Sequence, residues 1–371
     1  MYVYQNFSQV IELISVNSFV EVKNDMNHQH LDVFTGSFFY LLQSLMEQFF
    51  NRFNSLFCMK ILVTGADGFI GSHLCDALLK TNHEIIAVSR NFHKFINGKY
   101  DFSKIFLHKV DVTNFSELSK IIIENKPEVI IHLAGGTSHK KSFENPMYDI
   151  DVNLKSTLCI LETIRKSELN CKFILGSTFI VVGKPETLPI NETVKCNPTT
   201  VYGTTRLASE HLCKVYQNVY DLDVMSFRIT NAFGPREQYL TPTKNALNYL
   251  IYQAYLKKDV TIYNNGQFFR DIIFVTDVIS ALQTILEKGK SGNLYWVSSY
   301  KKTWFYEIAQ RLEELTNCKI KYVEPPSYTS KVDVGNFLVD NSKLKSLGWD
   351  LKIPVKDGIK QTLDYFKQNS L

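Results

Sequence analysis

Met59-Lys-Ile-Leu-Val-Thr-Gly-Ala-Asp-Gly-Phe-Ile-Gly-Ser-His-Leu74 is the run of residues on which the fold depends. Residues 61–63 are apolar and β-branched or leucine, the pattern of a buried strand. A glycine-rich turn follows at once, and residues 70–79 then carry the spacing of an amphipathic helix. Each glycine has a physical task in such a strand–turn–helix unit. Gly65 permits a tight turn after the strand, Gly68 leaves room for phosphates to approach the backbone, and Gly71 lets the helix lie close to the sheet. The N–H groups that open the helix, at Phe69 and Ile70, then face a phosphate group.

The chain continues in the same rhythm. Strands are expected at 84–89, at 105–110 ending in Asp111-Val112, and at 129–133 running into Ala134-Gly135-Gly136. Further strands are expected at 172–176, ending at Ser177-Thr178, and at 224–229. Helical patterns lie between them, such as 116–124 and 152–165. Strands alternating with helices imply parallel pairing, so the expected class is α/β with a doubly wound parallel sheet. Such sheets bind ligands at the carboxyl ends of their strands. The Gly65 turn, Ser89-Arg90, Asp111, Gly135 and Thr178 all fall at those ends.

Several ordered motifs join this pattern. They are Thr64-Gly65-x-x-Gly68-Phe69-Ile70-Gly71, then Ile131-His132-Leu133-Ala134-Gly135, then Asn153. Thr178-x-x-x-Val182-Gly183, Tyr202-Gly203-x-x-Arg206, Asn231-Ala-Phe-Gly234-Pro235-Arg236 and Arg270-Asp271-Ile-Ile-Phe-Val275-x-Asp277-Val278 follow. Asp340 with Leu347-Gly348-Trp349 closes the series. From Met59 to the C-terminus the chain resembles the extended short-chain dehydrogenase/reductases, the NAD(P)-dependent nucleotide-sugar epimerase/dehydratase/reductase family. The resemblance implies a Rossmann dinucleotide-binding domain over 59–235, with 268–292 returning to it. It implies a smaller substrate domain drawn mainly from 236–371.

The resemblance also implies roles. Tyr202 is the expected proton donor and Thr178 the residue that holds the sugar oxygen. A phenol ordinarily keeps its proton to about pH 10. A cation fixed beside it favours the phenolate, and i, i+4 spacing on a helix supplies one. The family places lysine there; this chain has Arg206, which keeps the charge but is bulkier and planar. Gly65, Gly68, Phe69, Ile70, Gly71, Leu133, Ala134 and Gly135, with Tyr202 and Arg206, are expected to border the dinucleotide. Asp111 is expected to accept from the adenine amine, with Val112 packed on the ring. NAD-binding members usually carry an acid after the second strand, whereas this chain has Ser89-Arg90. A guanidinium grips a 2′-phosphate with two hydrogen bonds, so NADP is the expected cofactor, with NAD as the alternative. Asn231, Arg270 and Lys331 are expected at the nucleotide diphosphate, and Asp271 and Asp277 in the framework. No metal is expected.

Dehydratases of this family carry an Asp and a Glu directly after the Thr178 position; here they are Phe179 and Ile180, which move no proton. The first reading is therefore NADPH-linked reduction of a 4-keto-6-deoxy sugar nucleotide. The alternatives are a 4-epimerase with retained NAD and a non-catalytic dinucleotide-binding scaffold or sensor, the latter prompted by Arg206.

Composition agrees. Of 371 residues, 45% are hydrophobic, ample for a large core. The net charge of +4 is slight and its basic residues are scattered, which argues against nucleic acid. Seven irregularly spaced cysteines suit a reduced, cytoplasmic protein. A homodimer is expected as the assembly.

Residues 1–58 stand outside the family pattern. Apolar residues recur at helical spacing over 38–57, but Glu47 and Arg52 interrupt them, so a membrane span is rejected. Three readings stay open: an amphipathic helix resting on the protein or a partner, a membrane-surface helix, which usually carries more Lys and Arg, or an upstream stretch preceding a true start at Met59.

Overall fold

Alternate residues of each central strand enter two different cores, and this alternation organises the domain. The computed structural model describes residues 58–96, 103–136, 139–242, 245–325 and 333–369. The apolar pattern at 38–57 and Lys331 lie outside the described residues. Residues 59–371 form one unit by their contacts.

β1 (Lys60–Thr64) leads through the glycine turn into α1 (Phe69–Leu79). β2 (Glu84–Ser89), β3 (Ile105–Lys109), α2 (Phe115–Asn125), β4 (Val129–His132), α3 (Ser156–Lys166), β5 (Lys172–Thr178), α4 (Val201–Tyr220) and β6 (Val224–Ile229) follow. Then come β7 (Asn231–Phe233), α5 (Ala246–Tyr255), β8 (Val260–Tyr263), β9 (Phe269–Phe274), α6 (Val275–Lys288) and β10 (Leu294–Val297). β11 (Lys302–Trp304), α7 (Phe305–Thr316), β12 (Ile320–Val323) and α8 (Val355–Gln368) complete the main elements.

The central sheet has seven strands in the order β10-β6-β5-β4-β1-β2-β3. Every neighbouring pair is parallel. Ile61 and Val63 of β1, Ile85 and Ala87 of β2, and Val129 and Ile131 of β4 enter the core that α1 and α6 cover. Leu62, Ile86, Val88 and Ile130 enter the opposite core with α2, α3 and α4. Successive side chains of a strand point to opposite faces, and helices on both faces explain why the strands are apolar throughout. The doubly wound class expected from the sequence is the class observed.

Two local differences have physical reasons. The seventh strand, β10, was not anticipated; its Leu-Tyr-Trp-Val run is too short for periodicity to distinguish from a buried turn of helix. The pattern at 152–165 is not one regular helix. Residues Ile150–Lys155 form a π-helical turn that passes into α3, a feature often found at functional sites.

The chain runs from β1 to β3 in one direction, then returns to place β4 on the other side of β1. The switch point lies between β1 and β4, where the carboxyl ends open a crevice. Small sheets flank that crevice: β7 pairs with β9 in parallel and β11 with β9 antiparallel, while β8 pairs with β12. An isolated bridge from Ile190 to Val339 ties the segment after β5 to the C-terminal tail.

Candidate functional site

The glycine turn is built for close approach. Gly65 has φ +67°, and a Cβ there would stand 2.8 Å from the Ala134 nitrogen, so the turn presses directly on the end of β4. A Cβ on Gly71 would stand 2.1 Å from the Gly65 carbonyl oxygen, which sets how near α1 lies to the turn. Gly68 is the N-cap of α1 and carries no side chain to cap it. The opening N–H groups of a helix have no partner within it. Those of Phe69 and Ile70 therefore suit phosphate oxygens, and both residues line the cleft described below. Asp67 accepts the Lys94 N–H at 2.8 Å, fastening the turn to the segment after β2.

Beneath the turn lies a buried polar chain with a single consistent direction. Ser156 Oγ donates to the Val152 carbonyl at 2.7 Å, so its one proton is spent. His132 Nε2–H must then donate to Ser156 Oγ, 3.0 Å away. His132 Nδ1 consequently accepts from the Thr64 hydroxyl at 2.7 Å, and Thr64 Oγ1 accepts the Ala134 N–H at 3.2 Å. His132 is fully buried. Burial, aided by the charge of Arg206, pushes it down to about 3, so it stays neutral. The chain holds the end of β4 in register with β1. Asn153, in the π-helical turn, accepts the Gly136 N–H at 3.1 Å and donates to Thr205 of α4 at 3.0 Å.

α4 starts at an N-cap, Thr200, whose side chain accepts the Gly203 N–H at 3.0 Å. This cap places Tyr202 and Arg206 on the face turned to the sheet. Tyr202 is 9% exposed and Arg206 3% exposed. Arg206 donates from Nη2 to the Ala134 carbonyl at 2.9 Å and from Nη1 to the Gly176 carbonyl at 3.1 Å. The guanidinium thus bridges the ends of β4 and β5.

Thr178, at the end of β5, accepts the Ile180 N–H through Oγ1 at 3.3 Å and so retains a hydroxyl proton to donate. Ser177 Oγ donates to Glu210, and Arg228 donates to the same carboxylate at 3.0 and 2.7 Å. The Arg228 and Glu210 side chains are 5% and 4% exposed. Arg228 also lies over the Trp296 ring, 5.2 Å from its centroid.

Tyr202, Arg206 and Thr178 share one cleft of about 400 Å³ with Phe69, Ile70, Leu133, Asn231 and Arg270. Phe179 and Ile180 also line it. Asn231 donates to the Asp271 carbonyl at 3.1 Å. Arg270 pairs with Asp333 and lies over the Phe268 ring, 5.2 Å from its centroid. Asp271 is fully buried, and its two oxygens accept from Ser299, Tyr300 and Val339. Asp277 accepts the Lys352 and Ile353 N–H groups. Both aspartates therefore tie the tail to the framework.

Arg90, Asp111 and Val112 are not among the residues that line that cleft. Arg90 is exposed just after β2 and donates to the Tyr148 hydroxyl at 2.9 Å. Asp111 Oδ1 accepts from the Thr113 N–H and hydroxyl at 3.0 and 2.9 Å. Val112 is 5% exposed and packs into the core with α2. Sequence reasoning did not name Glu210, Arg228, Asn245 or Phe305, and it gave His132 no role of its own. Glu210, Arg228 and His132 act through partners distant in sequence, and Asn245 and Phe305 are ordinary residue types that the tertiary fold brings to the cleft. Among the described residues no group of His, Cys, Asp or Glu could hold a metal, and no helix is long and apolar enough to cross a membrane.

A parallel sheet wound on both faces, a glycine turn at its switch point and a tyrosine–cation pair across the crevice define a dinucleotide-binding α/β enzyme class. The family model for the NAD-dependent epimerase/dehydratase family matches residues 61–298, and the chain belongs to that family. A UDP-glucose 4-epimerase from Mycolicibacterium smegmatis is 29% identical over 84% of this chain and 100% of its own length. A dTDP-glucose 4,6-dehydratase from Xanthomonas campestris is 27% identical over 83% of this chain and 93% of its own. Among solved structures, UDP-glucuronic acid 4-epimerase from Bacillus cereus, in complex with UDP-glucuronic acid and NAD, superposes with a TM-score of 0.72. It is 27% identical and covers 84% of this chain and 100% of its own.

Proposed function

We propose that this enzyme performs NAD(P)-dependent oxidation and reduction at C4 of a nucleotide-activated sugar, with 4-epimerisation on a retained dinucleotide as the net reaction. The observation that carries the reading is the convergence of Tyr202, Thr178 and Arg206 in one cleft beside the uncapped start of α1. The cradle fits a dinucleotide, because the turn presents backbone N–H groups and no side chain where phosphates would lie. A bound dinucleotide supplies the two-electron redox step. Tyr202 moves the proton at the C4 oxygen, Thr178 holds that oxygen through its remaining proton, and Arg206 is the fixed cation near the phenol. Asn231 and Arg270 serve the diphosphate, with Lys331 as a further cation from the tail. Gly65, Gly68, Gly71, Leu133, Ala134, Gly135, Asp111 and Val112 border the dinucleotide.

Phe179 and Ile180 carry no exchangeable proton, which disfavours dehydration. The full-length likeness to a UDP-glucose 4-epimerase supports epimerisation. A second reading, NADPH-linked reduction of a 4-keto-6-deoxy sugar nucleotide, is favoured by Arg90 at the end of β2, where a guanidinium suits a 2′-phosphate. The deciding experiment incubates the purified protein with UDP-glucose and no added dinucleotide. Galactose-nucleotide formation supports the epimerase. Stoichiometric NADPH consumption with a 4-keto sugar nucleotide, and no epimerisation, supports the reductase. For the assembly we propose a homodimer. Apolar Val215 and Val219 of α4 are 49% and 63% exposed, and light scattering tests whether a second copy covers them.

A further inference from the structure

Gly135 and Arg206 make a steric pair that neither motif reveals on its own. A Cβ at Gly135 would stand 1.7 Å from Arg206 Nη2 and 2.7 Å from Cζ. No real atoms approach so closely, so any side chain at 135 must evict the guanidinium. The eviction has nowhere easy to go. Arg206 is 3% exposed and holds the Ala134 and Gly176 carbonyls, and its Nε has no partner among the described residues. Gly135 does not have a left-handed φ, so its backbone would accept alanine. The glycine is required there for space, not for conformation.

We propose that Gly135 is a positioning residue for Arg206: its missing side chain is what admits an arginine, in place of a slimmer cation, at the floor of the cleft. The planar fork needs the volume above Gly135 to reach both strand-end carbonyls at once. Lysine carries its charge on a single nitrogen at the end of a narrow stem and does not need that volume. The binding consequence rests on the dinucleotide reading of the cleft, which places the Arg206 side chain beside the bound ligand. The fork therefore constrains residue 135: a side chain there requires that the arginine be exchanged.

A double-mutant cycle tests this on the full chain: wild type, Gly135→Ala, Arg206→Lys and the double variant. The first readout is the melting temperature of the ligand-free protein, which does not depend on what the cleft binds. The second is the dissociation constant for NAD and NADP by titration calorimetry. Gly135→Ala should melt well below wild type and bind the preferred dinucleotide at least tenfold more weakly. In the lysine background the same alanine should cost little in either readout. A Cβ at 135 would also crowd Asn153 Oδ1 at 2.8 Å, but that contact is common to both backgrounds and cancels in the cycle. Equal costs of alanine in the arginine and lysine backgrounds would overturn the proposal, as would a Gly135→Ala protein that melts with wild type. If Gly135→Ala is insoluble, recovery of a folded double variant supports the pairing, and an insoluble double variant overturns it. Coupling in melting without any dinucleotide binding would leave the steric pair standing and refute the cofactor reading instead.

Discussion

Glu210→Ala removes one carboxylate and strands three donors. Ser177 Oγ loses its acceptor, and Arg228 loses two hydrogen bonds of 3.0 and 2.7 Å. What remains for the guanidinium is the Cys196 sulfur at 3.2 Å and the face of Trp296. Neither offsets the charge, and the Arg228 side chain is 5% exposed, so water does not reach it freely. Leaving one member of a buried ion pair unpartnered costs about 3–5 kcal/mol. At about 2–4 °C per kcal/mol for a large domain, melting should fall by roughly 6–20 °C. Differential scanning calorimetry on ligand-free protein measures it. The same change should lower kcat more than it raises KM, because Ser177 anchors the strand end that presents Thr178. Replacing both Glu210 and Arg228 by methionine should recover most of the lost stability, since a buried pair as a whole is near break-even against apolar packing. A Glu210→Ala protein that melts with wild type would refute the reasoning, and so would a double variant no more stable than the single one.

Three further outcomes are expected. Tyr202→Phe keeps the ring but removes the phenol proton, so turnover should fall at least about a hundredfold while dinucleotide affinity barely moves; steady-state kinetics with calorimetric titration read both. Arg90→Ala should weaken NADP selectively by about 1.5–3 kcal/mol, the worth of a charge-assisted hydrogen bond; equal wild-type affinities for NAD and NADP would sink the 2′-phosphate assignment. Folded His132 stays neutral down to about 3, whereas unfolded chains take up the proton below about 6.5. Its contribution is therefore present above the unfolded value and is lost as pH falls, by a few kcal/mol (on the order of 3) at pH 4.5. Urea unfolding at roughly neutral pH, above the unfolded value, and at about pH 4.5 should show His132→Gln losing less stability on acidification than wild type.

Periodicity carried the fold because its information is local. Two-residue alternation in β1, β2 and β4 distributes side chains between two cores, and that pattern is written in consecutive residues. β10 escaped because four apolar residues fit a strand and a buried helical turn equally well. The cleft divides along the same line. Spacing placed Tyr202 and Arg206 on one helix face, and the glycine turn was legible as a close-packed passage from strand to helix. The contacts that set their chemistry were not legible, because they cross the sheet. Ser177 finds Glu210 from the next helix, and Arg228 meets that carboxylate from β6. Arg206 reaches carbonyls on β4 and β5 only because residue 135 has no side chain. An arginine at a lysine position reads from sequence as a doubt about catalysis. Because residue 135 has no side chain, the floor of the cleft has room for the planar fork, and the arginine is accommodated rather than anomalous. A planar cation anchored at two carbonyls is held more rigidly than an ammonium on a flexible stem. Such a cation keeps its charge in place near the phenol throughout a reaction that oxidises and then re-reduces one carbon, as a proposed epimerase requires.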